Sequence, residues 1–188
     1  MGILRLPIAA ISSWLVLLSA CGGFDNRPFQ EGGLTGRVLR ADKDAGRVVL
    51  MGEDPKDTGL DDEGRFHFDS LDLGPQELLV VASDTEALRV PALVVGGRMT
   101  DLADLDPAPA AFIVVDLTTQ GVVGDCWVKV HQTDLAEVHA PDGSYQFVVG
   151  PLAAGCYDAS MEHKGAEFWR QAQICLAPGE QRTFDVRW

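Results

Sequence analysis

Residues 61–74 read DDEGRFHFDSLDLG, and the centre of that stretch occurs twice in the chain. Glu63-Gly64-Arg65-Phe66-His67-Phe68 is echoed by Asp142-Gly143-Ser144-Tyr145-Gln146-Phe147: acid, glycine, any residue, aromatic, any residue, Phe. A second glycine follows each copy before a new extended run, Gly74 in the first and Gly155 in the second. A third, Gly97 or Gly179, precedes a closing strand. Recurrence at matched spacing marks two copies of one supersecondary unit. The acid-glycine pair makes a tight turn, since glycine takes backbone angles that other residues resist. Beyond it, Phe66 and Phe68 fall on one face of a strand, with Arg65 and His67 on the other. Tyr145 and Phe147 repeat that arrangement, with Ser144 and Gln146 outside.

Outward from the motif, apolar runs and turns alternate at intervals of about 10 residues, with no persistent helical period, which is the all-β pattern. Residues 34–40 and 47–51 read as a hairpin around 42–46, and 53–62 as a turn. Residues 77–82 and 89–95 follow as strands, the second an edge strand because it contains Pro91. Residues 99–105 form the last strand before Asp106-Pro107-Ala108-Pro109, which breaks regular structure. The second copy runs through 112–117, a turn at 118–121, the alternation of Cys126, Val128 and Val130, then inward-facing Tyr157, Ala159 and Met161. Residues 168–176 and 181–186 close it. The expectation is two tandem small β-sandwiches with Greek-key connections, 34–106 and 107–188, each of roughly 75 residues.

The motif resembles the carboxypeptidase regulatory-like domain, a transthyretin-like (prealbumin-like) β-sandwich. That family's best-marked segment continues Gly-x-Tyr-x-Leu-x-Val. Gly155-Cys156-Tyr157-Asp158-Ala159-Ser160-Met161 is similar to it, with Ala159 where Leu is usual, whereas Pro75 follows Gly74 and no tyrosine appears there. The family's early Gly-x-Pro connection is absent from both copies. The resemblance implies a structural or binding module with no catalytic residues to carry over. The hydroxyisourate hydrolase shares this fold, but its Tyr-Arg-Gly-Ser tail is replaced here by Phe184-Asp185-Val186-Arg187-Trp188.

Residues 1–20 read as a lipoprotein signal peptide: Arg5, an apolar core over 6–18, then Leu18-Ser19-Ala20-Cys21. The core is shorter than the ~20 apolar residues that span a bilayer. A cysteine is required because its thiolate takes the diacylglyceryl group, and each buried acyl methylene then contributes ~0.8 kcal/mol. Gly22, rather than an aspartate, follows Cys21, so the expected location is the cell envelope, lipid-anchored at the outer membrane. Residues 21–33 form a glycine-flanked tether. The chain carries 28 acidic against 15 basic residues and a formal charge of −13. Nucleic acid is thereby disfavoured as a partner, because phosphate contacts need clustered Lys and Arg.

Exported cysteines oxidise where geometry allows. Symmetric pairing about Gly165-Ala166 sets Cys156 opposite Cys175 on an outward face and predicts a disulfide, leaving Cys126 as a buried thiol. His67, His131, His139 and His163 show no metal-ligand spacing. Glu53, Asp54, Asp57, Asp61 and Asp62 lack the Asp-x-Asp-x-Asp-Gly ladder of a calcium loop. No metal, cofactor or catalytic residue is expected, and no nucleophile elbow or phosphate loop is present. Alternation sets Trp127 and Trp169 outward. They either cover one another, pack against the first copy, or form a face for sugar or protein. The expected function is a non-catalytic, membrane-anchored interaction module with an envelope protein partner. The alternative is a glycan-binding module using the tryptophans.

Overall fold

In a computed structural model of the chain, residues 30–117, 126–135, 138–139, 146–163 and 166–185 are described. The leader, Cys21, the tether to residue 29, Asp142–Tyr145 of the second motif, the 118–121 turn and residues 186–188 lie outside them, as do the side chains of His139, His163 and Trp169.

The motif behaves as its alternation requires. Strand β4 (Arg65–Asp72) buries Phe66, Phe68 and Leu71 and exposes Arg65 and His67. It pairs antiparallel with β1 (Glu31–Val38), and β7 (Met99–Leu105) pairs parallel with β1 on its other side. The order β4-β1-β7 makes one sheet. The facing sheet holds β2 (Arg47–Leu50), β3 (Lys56–Gly59), β5 (Gly74–Ser83), β6 (Glu86–Val94) and β8 (Ala108–Pro109), in the order β3-β2-β5-β6-β8.

The same order then recurs. Strands β9 (Ala111–Asp116), β12 (Gln146–Leu152) and β15 (Gln181–Asp185) form β12-β9-β15, again with one antiparallel and one parallel neighbour of the central strand. Strands β10 (Cys126–Val130), β11 (Val138–His139), β13 (Gly155–His163) and β14 (Ala166–Leu176) form β11-β10-β13-β14. Only β8 has no counterpart among the described residues. The paired glycines explain the match. Gly97 and Gly179 both take left-handed angles, φ 66° and 72°, turning the chain into the parallel strand of each copy. Gly74 and Gly155, φ 119° and 151°, open β5 and β13. A side chain is strained at all four.

The core shows how the copies are joined. Residues 47–51 and 78–82, RVVLM and LLVVA, are continuous apolar runs rather than alternating ones, the signature of a strand buried on both faces. Val48, Leu50, Leu78, Val80 and Ala82 pack with Leu34, Phe66, Phe68 and Leu105 in the first core. Val49, Met51, Leu79, Val81 and Ala87 face the other way, into one core with Ile113, Val128, Val149, Tyr157 and Met161 of the second copy. The five-stranded sheet is therefore a layer shared by both cores. Backbone bonds stitch the same boundary: Gly52 N–H donates to Gln132 O at 3.2 Å, and Gly179 N–H to Pro109 O at 2.9 Å.

Three expectations are corrected. Residues 34–40 and 47–51 are not a hairpin, because β1 and β2 lie in opposing sheets and β2 pairs with β3 and β5. The 42–46 segment carries the chain across the sandwich, with Asp42 Oδ1 accepting from the Asp44 N–H at 2.9 Å. Residues 53–62 are not turn throughout, since they contain β3, whose exposed residues hid an edge strand behind acidic composition. Residues 106–109, read as a break, supply β8, which pairs Ala108 with Ala87 of β6. At Pro91 the side of β6 away from β5 has no ladder partner among the described residues, in keeping with an edge position.

Candidate functional site

At the seam between the copies, Gly155 opens β13 beside Arg89 of β6. A Cβ on Gly155 would stand 2.8 Å from Arg89 Nη1, so glycine is required both by its backbone angle and by this close approach. Arg89 Nη2 donates to Glu77 Oε2 at 2.6 Å and Nη1 to Cys156 O at 2.9 Å. The guanidinium carbon lies 5.1 Å from the centroid of the Tyr157 ring, within cation–π range. Burial works against the Arg89 charge, and the Glu77 carboxylate more than offsets it, so its pKa is raised. One arginine, braced by Glu77 of its own sheet, thus ties the shared sheet to the second copy through a carbonyl and a ring.

Tyr157 is buried, and its hydroxyl donates to Ala153 O at 2.8 Å. Burial pushes the phenol up to about 12, against the pull of the Arg89 charge. An unfolded tyrosine ionises near pH 10, so the folded form is favoured fully below that value and the advantage is lost as pH rises through 12. About 2–3 kcal/mol of stability should disappear across that interval. Urea midpoints measured from pH 9 to 12 check this: Tyr157→Phe should flatten the alkaline fall, and an unchanged slope would refute the assignment.

Outside this cluster lies a cleft of about 380 Å³, lined by Met51, Glu53, Arg89, His131, Asp158 and Arg170 among others, and so drawn from both copies. Arg170 Nη2 donates to Asp158 Oδ2 at 2.7 Å. The His131 N–H donates to Asp158 O at 2.8 Å, and His131 Nε2 lies 2.9 Å from Ser160 Oγ. Asp158 Oδ1 and Arg89 Nε are buried without a hydrogen-bond partner among the described residues. Both atoms lie beneath the cleft wall, so the charged groups a guest would meet are the exposed side chains of Glu53 and Arg170. The serine–histidine pair is not a nucleophile and base poised for substrate, because Ser160 has no exposed surface; it fastens β10's end to β13.

The sequence-derived candidates fall around this cleft in different ways. Cys156 and Cys175 form a disulfide between directly opposed residues of β13 and β14. The symmetric register holds there, and two bulges shift the pairing only nearer the turn, one of them at Gln173 with φ 58°. Cys126 is a buried thiol. Trp127 is half-buried with its Nε1 away from water, opposite Glu162. Trp169 lies opposite Met161 by register, one rung along, and its side chain is outside the described residues. His67 pairs with Asp69 at 2.7 Å on the surface, but His131 is no free surface histidine. Among the described residues no group of three or more His, Cys, Asp or Glu is placed to hold a metal ion. Arg89, Glu77 and Asp158 went unread in the sequence. The available signal was a lone charge inside the apolar run ALRVPALV.

No protein-family model matches the chain, and no curated protein matches it. Several solved structures do. The TIE protein of Bacillus anthracis is 14% identical with a TM-score of 0.35, over 84% of this chain and 34% of that one. This chain thus spans about a third of that protein's length. A DUF3823 family protein from Bacteroides ovatus is 11% identical with a TM-score of 0.34, over 77% of this chain and 97% of that one. A streptococcal ancillary pilin is 13% identical with a TM-score of 0.31, over 84% and 63%. None of them transfers a ligand or an activity to this chain.

Proposed function

We propose that the protein is a lipid-anchored, non-catalytic component of the cell envelope that engages a partner protein, its two carboxypeptidase regulatory-like repeats acting as one stiff body. The observation that carries the reading is the seam. A shared layer joins the two cores, and beside it lies a polar cleft drawn from both copies, with Glu53 and Arg170 exposed on its walls. Charged or polar side chains of a partner protein would meet them there. The acylated Cys21 supplies the membrane attachment, with the outer membrane as the expected location. Glycan recognition through Trp127 and Trp169 is the weaker reading, because Trp127 is half-buried with its indole nitrogen enclosed.

Two measurements test this. Cys21→Ala should move the protein from the membrane to the soluble fraction, and retention on the membrane would sink the anchor. A photo-crosslinking residue at Glu53, exposed on the cleft rim, should yield one stoichiometric protein adduct in cells. Recovery of the chain alone, or with polysaccharide, would move the reading to a glycan.

A further inference from the structure

The face of the shared sheet that meets the second copy is only partly covered. Along β6 its residues run from buried Ala87 through half-buried Arg89 to exposed Pro91 and Leu93, with exposed Val95 just beyond the strand. Leu93 is 57% exposed and Val95 40%, and Pro75, opposite Leu93 on β5, is exposed too. Two further apolar side chains stand close by: Leu73 at 47% and Met99 at 43%. Leu73 lies between Asp72, which pairs with Glu31, and Gly74, which pairs with Val94. Met99 pairs with Gly33, and the Gly97 N–H donates to Glu31 O at 2.9 Å. Thr100 Oγ1 donates to Leu93 O at 3.0 Å. All four large apolar residues therefore gather at one end of the first copy, the end where β1 begins. Among the described residues, four of the five exposed large hydrophobic side chains are there, so the grouping is not the usual scatter of apolar surface.

We propose that this apolar rim is a membrane-contact surface that rests in the lipid interface, inserted beside the anchor. The proposal rests on the lipid-anchor reading above and adds an orientation to it. The support is the position of the chain's entry. Cys21 lies ten residues before Glu31, a span of roughly 35 Å at full extension and about 17 Å as a flexible coil. An acyl chain fixed at Cys21 therefore keeps this end of the body within reach of the bilayer. The diacylglyceryl group carries two acyl chains and anchors the protein by itself, so what the rim adds is a fixed orientation of the body. The charges at the rim select the surface. Glu31, Asp69 and Asp72 stand beside Arg98, a net acidic setting that disfavours anionic headgroups and fits a zwitterionic or neutral interface. The seam cleft, on the side of the second copy, is then carried away from the bilayer and left open to a partner.

The test uses the acylated full-length protein in phosphatidylcholine vesicles whose acyl chains carry bromine, a short-range quencher of tryptophan. Leu93→Trp and Val95→Trp place reporters on the rim at positions already exposed, and Val148→Trp places one on the second copy, where Val148 is 55% exposed. Relative to wild type, the rim reporters should lose about half of their added emission, as expected for a ring buried 5–10 Å into the headgroup boundary. The Val148 reporter should lose none. Rim reporters that stay bright on a chain that floats with the vesicles overturn this proposal alone and leave the anchor standing. Equal quenching at Val148 also overturns it. A chain that does not float with the vesicles overturns both readings.

Discussion

Leu79→Ala is expected to destabilise both copies together, by about 2–5 kcal/mol, the cost of deleting a fully buried leucine and leaving a cavity. Leu79 belongs to β5 in the first copy, yet it packs in the core of the second. The strand is one layer of two sandwiches, so its loss is felt on the side where no sequence neighbour lies. The readout is favourable, because three of the four tryptophans, Trp127, Trp169 and Trp188, belong to the second copy. Their fluorescence should report a lower urea midpoint for a substitution made in the first. A second-copy midpoint unmoved by Leu79→Ala would show that the halves fold independently. Domains joined only by a linker would behave that way. Two cores sharing a sheet cannot, since the shared strands must be ordered for either to close.

Opening the Cys156–Cys175 bond should cost about 3 kcal/mol, because it releases a loop closed over a sequence separation of 19. At a typical urea dependence the midpoint should fall by roughly 1–2 M. Reductant on the wild type and the double variant Cys156→Ser with Cys175→Ser should give the same midpoint, because the remaining described cysteine, Cys126, is buried. Equal midpoints for the oxidised and reduced protein would refute the contribution. The bond joins two outward-facing residues of β13 and β14, and β13 also carries Tyr157 and Asp158. Reduction should therefore loosen the wall of the cleft before it disturbs the first copy. Hydrogen exchange of the β13 amides should show the loosening.

Much of this protein was readable one residue at a time. The spacing of Phe66 and Phe68, and of Tyr157, Ala159 and Met161, states which face of each strand is buried, because side chains alternate with a period of two. The Cys156–Cys175 pair followed from hairpin symmetry, since opposed residues of an antiparallel pair share a face. The repeated glycines marked the copies, as backbone angles near φ 70° at Gly97 and Gly179 leave few other choices. β3 was not readable, because an exposed edge strand of Lys56-Asp57-Thr58-Gly59 has the composition of a loop. The separation of β1 from β2 was not readable either. The eight-residue connection 39–46 suits a hairpin and a sheet-to-sheet crossing alike, and only the partners that become available in three dimensions choose between them.

Local chemistry in the sequence thus determined the all-β character, the inward faces and the disulfide, all of which follow from strand alternation and hairpin pairing. Tertiary structure alone decided that the runs 47–51 and 78–82 serve two cores. It also brought Arg89 and Glu77 to Cys156 and Tyr157 of the other copy, and gathered Leu73, Leu93, Val95 and Met99 at the end where β1 begins. The physical reason is the same in each case. A continuous apolar run states that both faces are buried but not against what, and a lone charge states a need for a partner but not which one. For Arg89 and Cys156 the answer lies 67 residues away, and it exists only once the sheets have packed.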